Sequence, residues 1–86
     1  MSTVEQLEAR IPERWGKYLS IPDEWLEHVL ALDDALAALK PDYEVHQVKE
    51  KFGGLRFYTE TWPEDLVDEA QRLIDECEAK CQRAPY

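Results

Sequence analysis

The stretch from residue 43 to residue 59 constrains the fold most, because it has the pattern of a β-hairpin in a chain of 86 residues. Two alternating segments rich in β-branched and aromatic side chains flank the pair Gly53-Gly54. Tight hairpin turns require positive φ angles, so both glycines are predicted to serve turn geometry. An isolated two-stranded hairpin is only marginally stable in water, so other elements must cover one of its faces.

Segments with helical periodicity lie on both sides of this hairpin. Apolar side chains recur there at steps of three and four, and Pro41 ends the pattern that precedes the hairpin. The sequence therefore predicts a small α+β protein with one domain over residues 1–86 and the order α-α-β-β-α, with two to three helices packed on one face of a two-stranded antiparallel hairpin. The predicted elements are a short helical segment at 1–20, a helix at 21–40, the hairpin at 43–59 and a helix at 62–82.

Three hydroxyl–carboxylate pairs have capping-box spacing and mark the predicted helix starts. In this motif a Ser or Thr side chain accepts from the backbone N–H three residues later, and the side chain there reaches back to the cap. In the second and third pairs a proline follows, which the first turn of a helix tolerates. The three pairs are Ser2 with Glu5, Ser20 with Asp23, and Thr61 with Glu64.

Charge is distributed unevenly along the chain. Nineteen acidic and ten basic residues give a net charge of -9, which argues against direct nucleic-acid binding because phosphate contacts need a basic face. Residues 45–58 carry three bases and one acid, so this segment is positive within an acidic chain. No apolar run reaches the roughly 20 residues of a membrane helix, and the N-terminus has no features of an export signal. A cytoplasmic protein that does not bind membranes is therefore expected.

Strand alternation separates the hairpin side chains into an apolar face and a basic face. Val48, Leu55 and Phe57 are predicted to face the helices, and the opposite side chains to face solvent. An Arg on that solvent face could hold a carboxylate or phosphate through a bidentate fork. Two interpretations stay open: the cations bind an acidic partner, or they pair with the acidic helices of the same chain. The candidate partner-binding residues are Lys49, Lys51, Arg56 and Tyr58.

Residues 49–58 also resemble a block of approximate sequence KEKFGxLRFY that occurs in small uncharacterised proteins of bacteriophages and prophages. The resemblance extends over about residues 22–81 in the placement of the helices. It implies a phage or prophage setting, hence a bacterial host cytoplasm, and the same helix–hairpin–helix core, and it implies no activity. Many relatives carry a CxxC-type pair near a glycine after the last helix. Here the cysteines are Cys77 and Cys81, and no glycine follows.

Metal and catalytic chemistry receive little support from the sequence. Cys77 and Cys81 are weak metal candidates, since zinc needs four ligands and only two histidines could complete the set. The favoured interpretation is that both cysteines act as small buried hydrophobic side chains. No cofactor is predicted. A nuclease-type cluster would need His46 to face the same side as Lys49 and Arg56, but strand alternation places His46 on the core side. No common catalytic motif is present.

These observations favour a non-catalytic accessory protein of phage type that binds a protein partner through the basic side of the hairpin. The partner could be a protein of the bacterial host or of the phage. An exposed hairpin edge could also pair with a second copy and give a homodimer. The alternative is a nucleic-acid mimic that uses acidic helix faces, with Asp33 and Asp34 among the acids of the second helix. A small nuclease or metal-dependent enzyme is the third hypothesis. The acidic candidates on the third predicted helix are Glu64, Asp68, Asp75 and Glu78.

Overall fold

Three helices and a two-stranded antiparallel sheet follow one another in the order predicted from the sequence. The computed structural model describes residues 2–13, 19 and 21–82. Buried side chains from all five elements form one core, and α3 contacts both α2 and β2. The α+β architecture with the order α-α-β-β-α is thereby confirmed. The elements are α1 (Val4–Ala9), α2 (Asp23–Leu39), β1 (Val45–Lys51), β2 (Gly54–Thr59) and α3 (Val67–Lys80).

Helix α2 is the central element of the core. Its side chains at Trp25, Val29, Leu32 and Leu36 are buried and lie on one face, as the spacing of three and four residues predicts. The Lys40 N–H donates to the Leu36 carbonyl oxygen at 3.0 Å, and the helix ends there because the residue before a proline avoids helical geometry. No described helix has both the length and the apolar character needed to cross a membrane.

Helix α1 begins with a capping box, although one residue later than predicted. Thr3, not Ser2, is the N-cap: its hydroxyl oxygen accepts from the Gln6 N–H at 3.2 Å, and the Gln6 side-chain oxygen accepts from the Thr3 N–H at 2.9 Å. The predicted pairing of Ser2 with Glu5 is therefore wrong. Ser2 is buried and bonds to α2 instead.

The other two predicted capping boxes do not start a helix as expected. Pro22 is the N-cap of helix α2, and no side-chain hydrogen bond caps this end of the helix. Ser20, the predicted cap, lies outside the described residues. The predicted box at Thr61 is wrong, because α3 begins only at Val67. Trp62 is buried and its indole N–H donates to the Thr59 hydroxyl at 3.0 Å, which holds this segment against the core before the chain turns at residues 63–66.

The hairpin strands pair with one irregularity near the start of β1. Val48 lies opposite Phe57, and both are buried together with Leu55, as predicted. The register shifts between Val45 and Gln47, which is typical of a β-bulge. Val45 is fully buried and the adjacent His46 is half-buried, so the simple alternation from which His46 was predicted to face the core is interrupted at this point.

Both outer edges of the two-stranded sheet are partly occupied by the chain itself. At the β2 edge, the Leu55 N–H donates to the Cys81 carbonyl oxygen at 2.9 Å, and Gly54 forms an antiparallel bridge with Gln82. At the β1 edge, the Val45 N–H donates to the Arg10 carbonyl oxygen at 3.1 Å. Such coverage limits edge-to-edge pairing between sheets of different molecules.

Candidate functional site

The solvent side of the hairpin carries the basic residues that the sequence predicted there. Lys49 lies opposite Arg56 across the two strands, and the Lys49 ammonium stands 5.7 Å from the centre of the Tyr58 ring. Tyr58 is 42% exposed, whereas Trp25, Tyr43, Phe57 and Trp62 are buried. We call Lys49, Lys51, Arg56 and Tyr58 the hairpin face.

The turn at the tip of the hairpin presents a large aromatic side chain to solvent. Phe52 and Gly53 form the two-residue loop, with φ angles of 55° and 79°. Positive φ at both positions is the requirement of a type I′ turn, which normally selects Asn, Asp or Gly at the first position. Phe52 is nevertheless there, 79% exposed, with the Lys51 ammonium 5.6 Å from its ring centre. A bulky side chain in this backbone conformation is uncommon in proteins.

Gly54 was predicted to serve turn geometry, but in the structure it lies in a strand. Gly54 belongs to β2 and pairs with Lys51, so only Gly53 has the positive φ expected of the glycine pair. A Cβ atom at Gly54 would stand 3.2 Å from the Arg56 Nη1 atom, which is a tight contact. Gly54 thus leaves room for the Arg56 guanidinium along the strand.

The cations of the hairpin face do not pair with the acidic helices. In the described part of the chain, Lys49, Lys51 and Arg56 form no ion pair, and the Arg56 guanidinium donates to the neighbouring Leu55 carbonyl oxygen at 3.1 Å. The interpretation that these cations pair with the protein's own helices has no ion pair to support it among the described residues. Cations elsewhere do pair: Arg10 with Asp33, Lys40 with Asp42 and Glu60, and Arg72 with Glu69 and Glu76.

The acidic row predicted on the third helix is only partly free to meet a partner. Glu64, Asp68 and Asp75 are exposed, but Asp75 accepts from the Gln71 side chain at 2.8 Å. Glu78 is half-buried, and its Oε2 atom accepts from the Phe57 backbone N–H at 3.0 Å. That bond ties α3 to the outer edge of β2, so the Glu78 carboxylate has a structural role.

Asp33 was predicted on the helix surface, and that prediction is wrong. Its carboxylate is fully buried and accepts from the Ser2 and Tyr43 hydroxyls and from the Arg10 Nε atom, the last at 2.6 Å. The Arg10 guanidinium also stacks on the Tyr43 ring, 4.9 Å from its centre. Burial, and then the Asp33 carboxylate, raise the pKa of the Tyr43 hydroxyl well above its usual value. No buried side-chain N or O atom among the described residues lacks a partner.

A signal for the burial of Asp33 was present in the sequence. Asp33 follows Val29 by four residues and precedes Leu36 by three, so it lies within the apolar stripe of α2. Asp34, one residue on, lies at the rim of the same cluster, with its Oδ1 atom 2.8 Å from the Ser2 hydroxyl oxygen. Because charged side chains are rarely fully buried without partners, such a position predicts a buried polar network.

The two cysteines are buried side chains of the core, as the sequence favoured. Cys77 and Cys81 are free thiols, and the Cys77 Sγ donates to the His28 carbonyl oxygen at 3.5 Å. Burial raises the pKa of Cys77 to about 12 and also raises the pKa of Cys81, so both thiols are protonated at neutral pH and are poor nucleophiles. The described residues contain no group of three or more His, Cys, Asp or Glu side chains that could hold a metal ion.

Comparisons with known proteins give no match to a family model, to a curated protein or to a solved structure. The resemblance of residues 49–58 to a phage-type block stays a prediction. The candidate site is therefore defined by geometry and charge: the hairpin face, with Phe52 at its tip.

Proposed function

We propose that this protein is a non-catalytic accessory protein that binds an acidic partner protein through the hairpin face. The observation that carries the proposal is the absence of ion pairs for Lys49, Lys51 and Arg56 within the described chain, although the protein has a net charge of -9. Unpaired cations beside exposed aromatic rings are chemically suited to a partner's carboxylates, since Arg and aromatic residues are enriched in binding hot spots.

The position of Phe52 supports the same proposal. Its backbone conformation is disfavoured for a residue with a bulky side chain, and its ring gains no burial within the protein in return. A partner that covers the ring would supply the apolar contact that the chain itself does not. Under the phage resemblance, this partner is a protein of the bacterial cytoplasm, from the host or the phage.

The experiment is capture of partners from bacterial lysate with the wild-type protein and the double variant Lys49→Glu/Arg56→Glu. Arg72→Glu/Lys80→Glu is the charge control, because it lowers the net charge by the same four units with exposed residues of α3. It also breaks the Arg72 ion pairs with Glu69 and Glu76, so the unfolding midpoints of both variants are measured before capture is compared. We expect a protein that the wild type and the control retain and the hairpin variant loses by about tenfold or more. Circular dichroism would establish that all three proteins are folded.

Retention of the same partner by the folded hairpin variant would contradict the proposal. The alternative, a nucleic-acid mimic, has less support because Glu78 is engaged with the Phe57 backbone. It would gain support if the partner were a DNA-binding protein that the hairpin variant still retains and that added DNA displaces.

A further inference from the structure

Two cations of the hairpin lie close to its turn. The Arg56 Nη1 atom would stand 3.2 Å from a Cβ atom at Gly54, so the Arg56 guanidinium lies over Gly54, which pairs with Lys51 across the two strands. Arg56 therefore reaches toward the turn, where the Lys51 ammonium stands beside the exposed Phe52 ring. We call Lys51, Phe52 and Arg56 the hairpin tip. It combines an exposed aromatic ring with two cations.

The solvent side of the hairpin strands carries positive charge alone. The two strands contain one acid, Glu50, which pairs with the buried Leu55 and so faces the opposite side of the sheet. Lys49 lies directly opposite Arg56, and like charges in that position destabilise a sheet. This arrangement of cations is unfavourable for the chain by itself and is complementary to a negative surface.

A cavity of about 570 Å³ lies at the other end of the hairpin, where α1, α2 and the loop before β1 meet. We call it the base pocket. Its volume is in the range of cavities that bind bulky organic groups. Among the side chains that line it are three small apolar ones, which leave room for a ring: Ala9, Pro12 and Ala37.

The charges that line the base pocket are mainly negative. One guanidinium lines it, that of Arg10, and the buried Asp33 carboxylate holds this group at 2.6 Å. Asp42 is 87% exposed and stands 3.5 Å from the Lys40 ammonium, a surface pair that contributes little. The base pocket therefore favours a cationic occupant. Its three carboxylates are those of Asp34, Asp42 and Glu44.

We propose that the hairpin tip of one copy of this protein binds the base pocket of a second copy. Phe52 lies against the small apolar side chains, and Lys51 and Arg56 meet the pocket carboxylates. The seven residues of β1 separate the two surfaces by roughly 20 Å, so the tip cannot reach the pocket of its own chain. Because the two surfaces differ, each copy offers both of them to its neighbours.

This inference goes beyond the proposed function, because it concerns copies of the protein without any partner. It uses Lys51 and Arg56 of the hairpin face, so self-association would compete with a partner at high protein concentration. The net charge of -9 repels two copies at a distance. At about 0.15 M salt the screening length is about 8 Å, so distant charges are screened while charges in contact still attract.

The test is sedimentation equilibrium of the pure full chain between about 10 µM and about 1 mM, at about 0.15 M salt. We expect the average mass to rise with protein concentration. Amide NMR signals should move with concentration at both surfaces, at residues 51–54 and at residues 9 and 42–44. Signals on the exposed side of α3 should stay constant.

A tip variant removes one of the two surfaces. Lys51→Thr/Phe52→Asn removes one cation and the ring, and Asn suits the positive φ of the first turn position. It should weaken association by about tenfold or more. Lys80→Ala is the control, because it changes the net charge by the same one unit at an exposed residue of α3, and it should leave association unchanged.

A pocket variant removes the other surface. Ala9→Arg/Asp42→Lys places bulk and positive charge in the base pocket at two exposed residues, and an Arg is favourable in the last turn of α1. It should also weaken association by about tenfold or more. The variant adds three positive charges to an acidic protein, so a change in general repulsion alone would strengthen association instead.

A mixture of the two variants tests whether the two surfaces meet each other. Each variant keeps one surface intact, so an equimolar mixture should form a one-to-one complex although each variant alone stays monomeric. Circular dichroism would establish that both variants are folded. If either double variant does not fold, Phe52→Asn and Asp42→Lys take their places.

Several results would overturn the inference. These are a wild-type chain that stays monomeric throughout, association that only one variant or neither weakens, and folded variants that form no complex when mixed. Association lost in the tip variant alone would mean that the tip meets a different surface, such as a second tip. Lysate capture with Lys49→Glu/Arg56→Glu tests the proposed function separately, and a monomeric protein that captures its partner through the hairpin face would leave that function standing.

Discussion

Asp33 connects three segments that are distant in the chain. Its carboxylate accepts hydrogen bonds from Ser2 before α1, from Arg10 after α1 and from Tyr43 in the loop before β1. The Arg10 Nη1 atom also donates to the Pro41 carbonyl oxygen at 2.8 Å, so the same network holds the loop that follows α2. One buried charge thus orients α1 and the start of the hairpin relative to α2.

Removal of this carboxylate should destabilise the protein strongly. Asp33→Ala leaves the Arg10 guanidinium and the Tyr43 hydroxyl without their buried partner, which should lower the free energy of unfolding by about 3 kcal/mol or more. Urea unfolding followed by circular dichroism would measure it. Glu27→Ala, on the exposed side of the same helix, should cost less than about 0.5 kcal/mol. Equal losses of unfolding free energy in the two variants would refute the stabilising role of the Asp33 network.

Phe52 should oppose stability and support binding. Phe52→Asn places a residue that tolerates positive φ at the first turn position, so the free energy of unfolding should rise by about 0.5–1 kcal/mol while partner capture falls. Gly53→Ala should instead lower the free energy of unfolding by about 1 kcal/mol, because Ala is strained at a φ of 79°, and it keeps the Phe52 side chain for capture. Unfolding curves and capture assays on both variants test this. A Phe52→Asn protein that is less stable would show that the ring contributes to folding.

At the scale of elements, the end of α3 stabilises the outer edge of β2. Glu78→Ala removes the acceptor for the Phe57 N–H and should lower the free energy of unfolding by about 1–2 kcal/mol, with faster hydrogen exchange at that amide. Asp75→Ala is the control, since Asp75 is exposed on the same helix and, in the part of the chain that the structure describes, accepts only from Gln71. Unchanged exchange at Phe57 in the Glu78 variant would contradict this account.

The elements were predictable from the sequence to different degrees. The α2 stripe and the apolar side of the hairpin were predicted correctly, because helical and strand periodicities are local properties of the chain. The start of α3 was predicted too early, since the stacking of Trp62 on Tyr43, with ring centres 5.3 Å apart, comes from a distant residue. The bulge after Val45 was likewise not predicted, and it interrupts the strand alternation at His46.

At the scale of the whole molecule, net negative charge should make stability depend on salt. With a net charge of -9, repulsion among carboxylates opposes the compact state. Raising the ionic strength from about 0.01 M to about 0.15 M shortens the screening length from roughly 30 Å to roughly 8 Å, so the urea midpoint should rise. The rise should be larger in Lys49→Glu/Arg56→Glu, which carries more negative charge. A midpoint that falls with salt would mean that local ion pairs outweigh the net repulsion.

The sequence by itself determined the class of fold, the sides of the hairpin strands and the positive charge of residues 45–58, because these follow from periodicity and from local composition. Only the tertiary structure decided which charges are engaged. Asp33 and Glu78 belong to acidic stretches of similar composition, yet distant hydroxyl, guanidinium and backbone N–H groups turn both inward. Lys49, Lys51 and Arg56 remain on the surface without carboxylate partners in the described chain, because α3 packs against the far side of β2 and its outer edge.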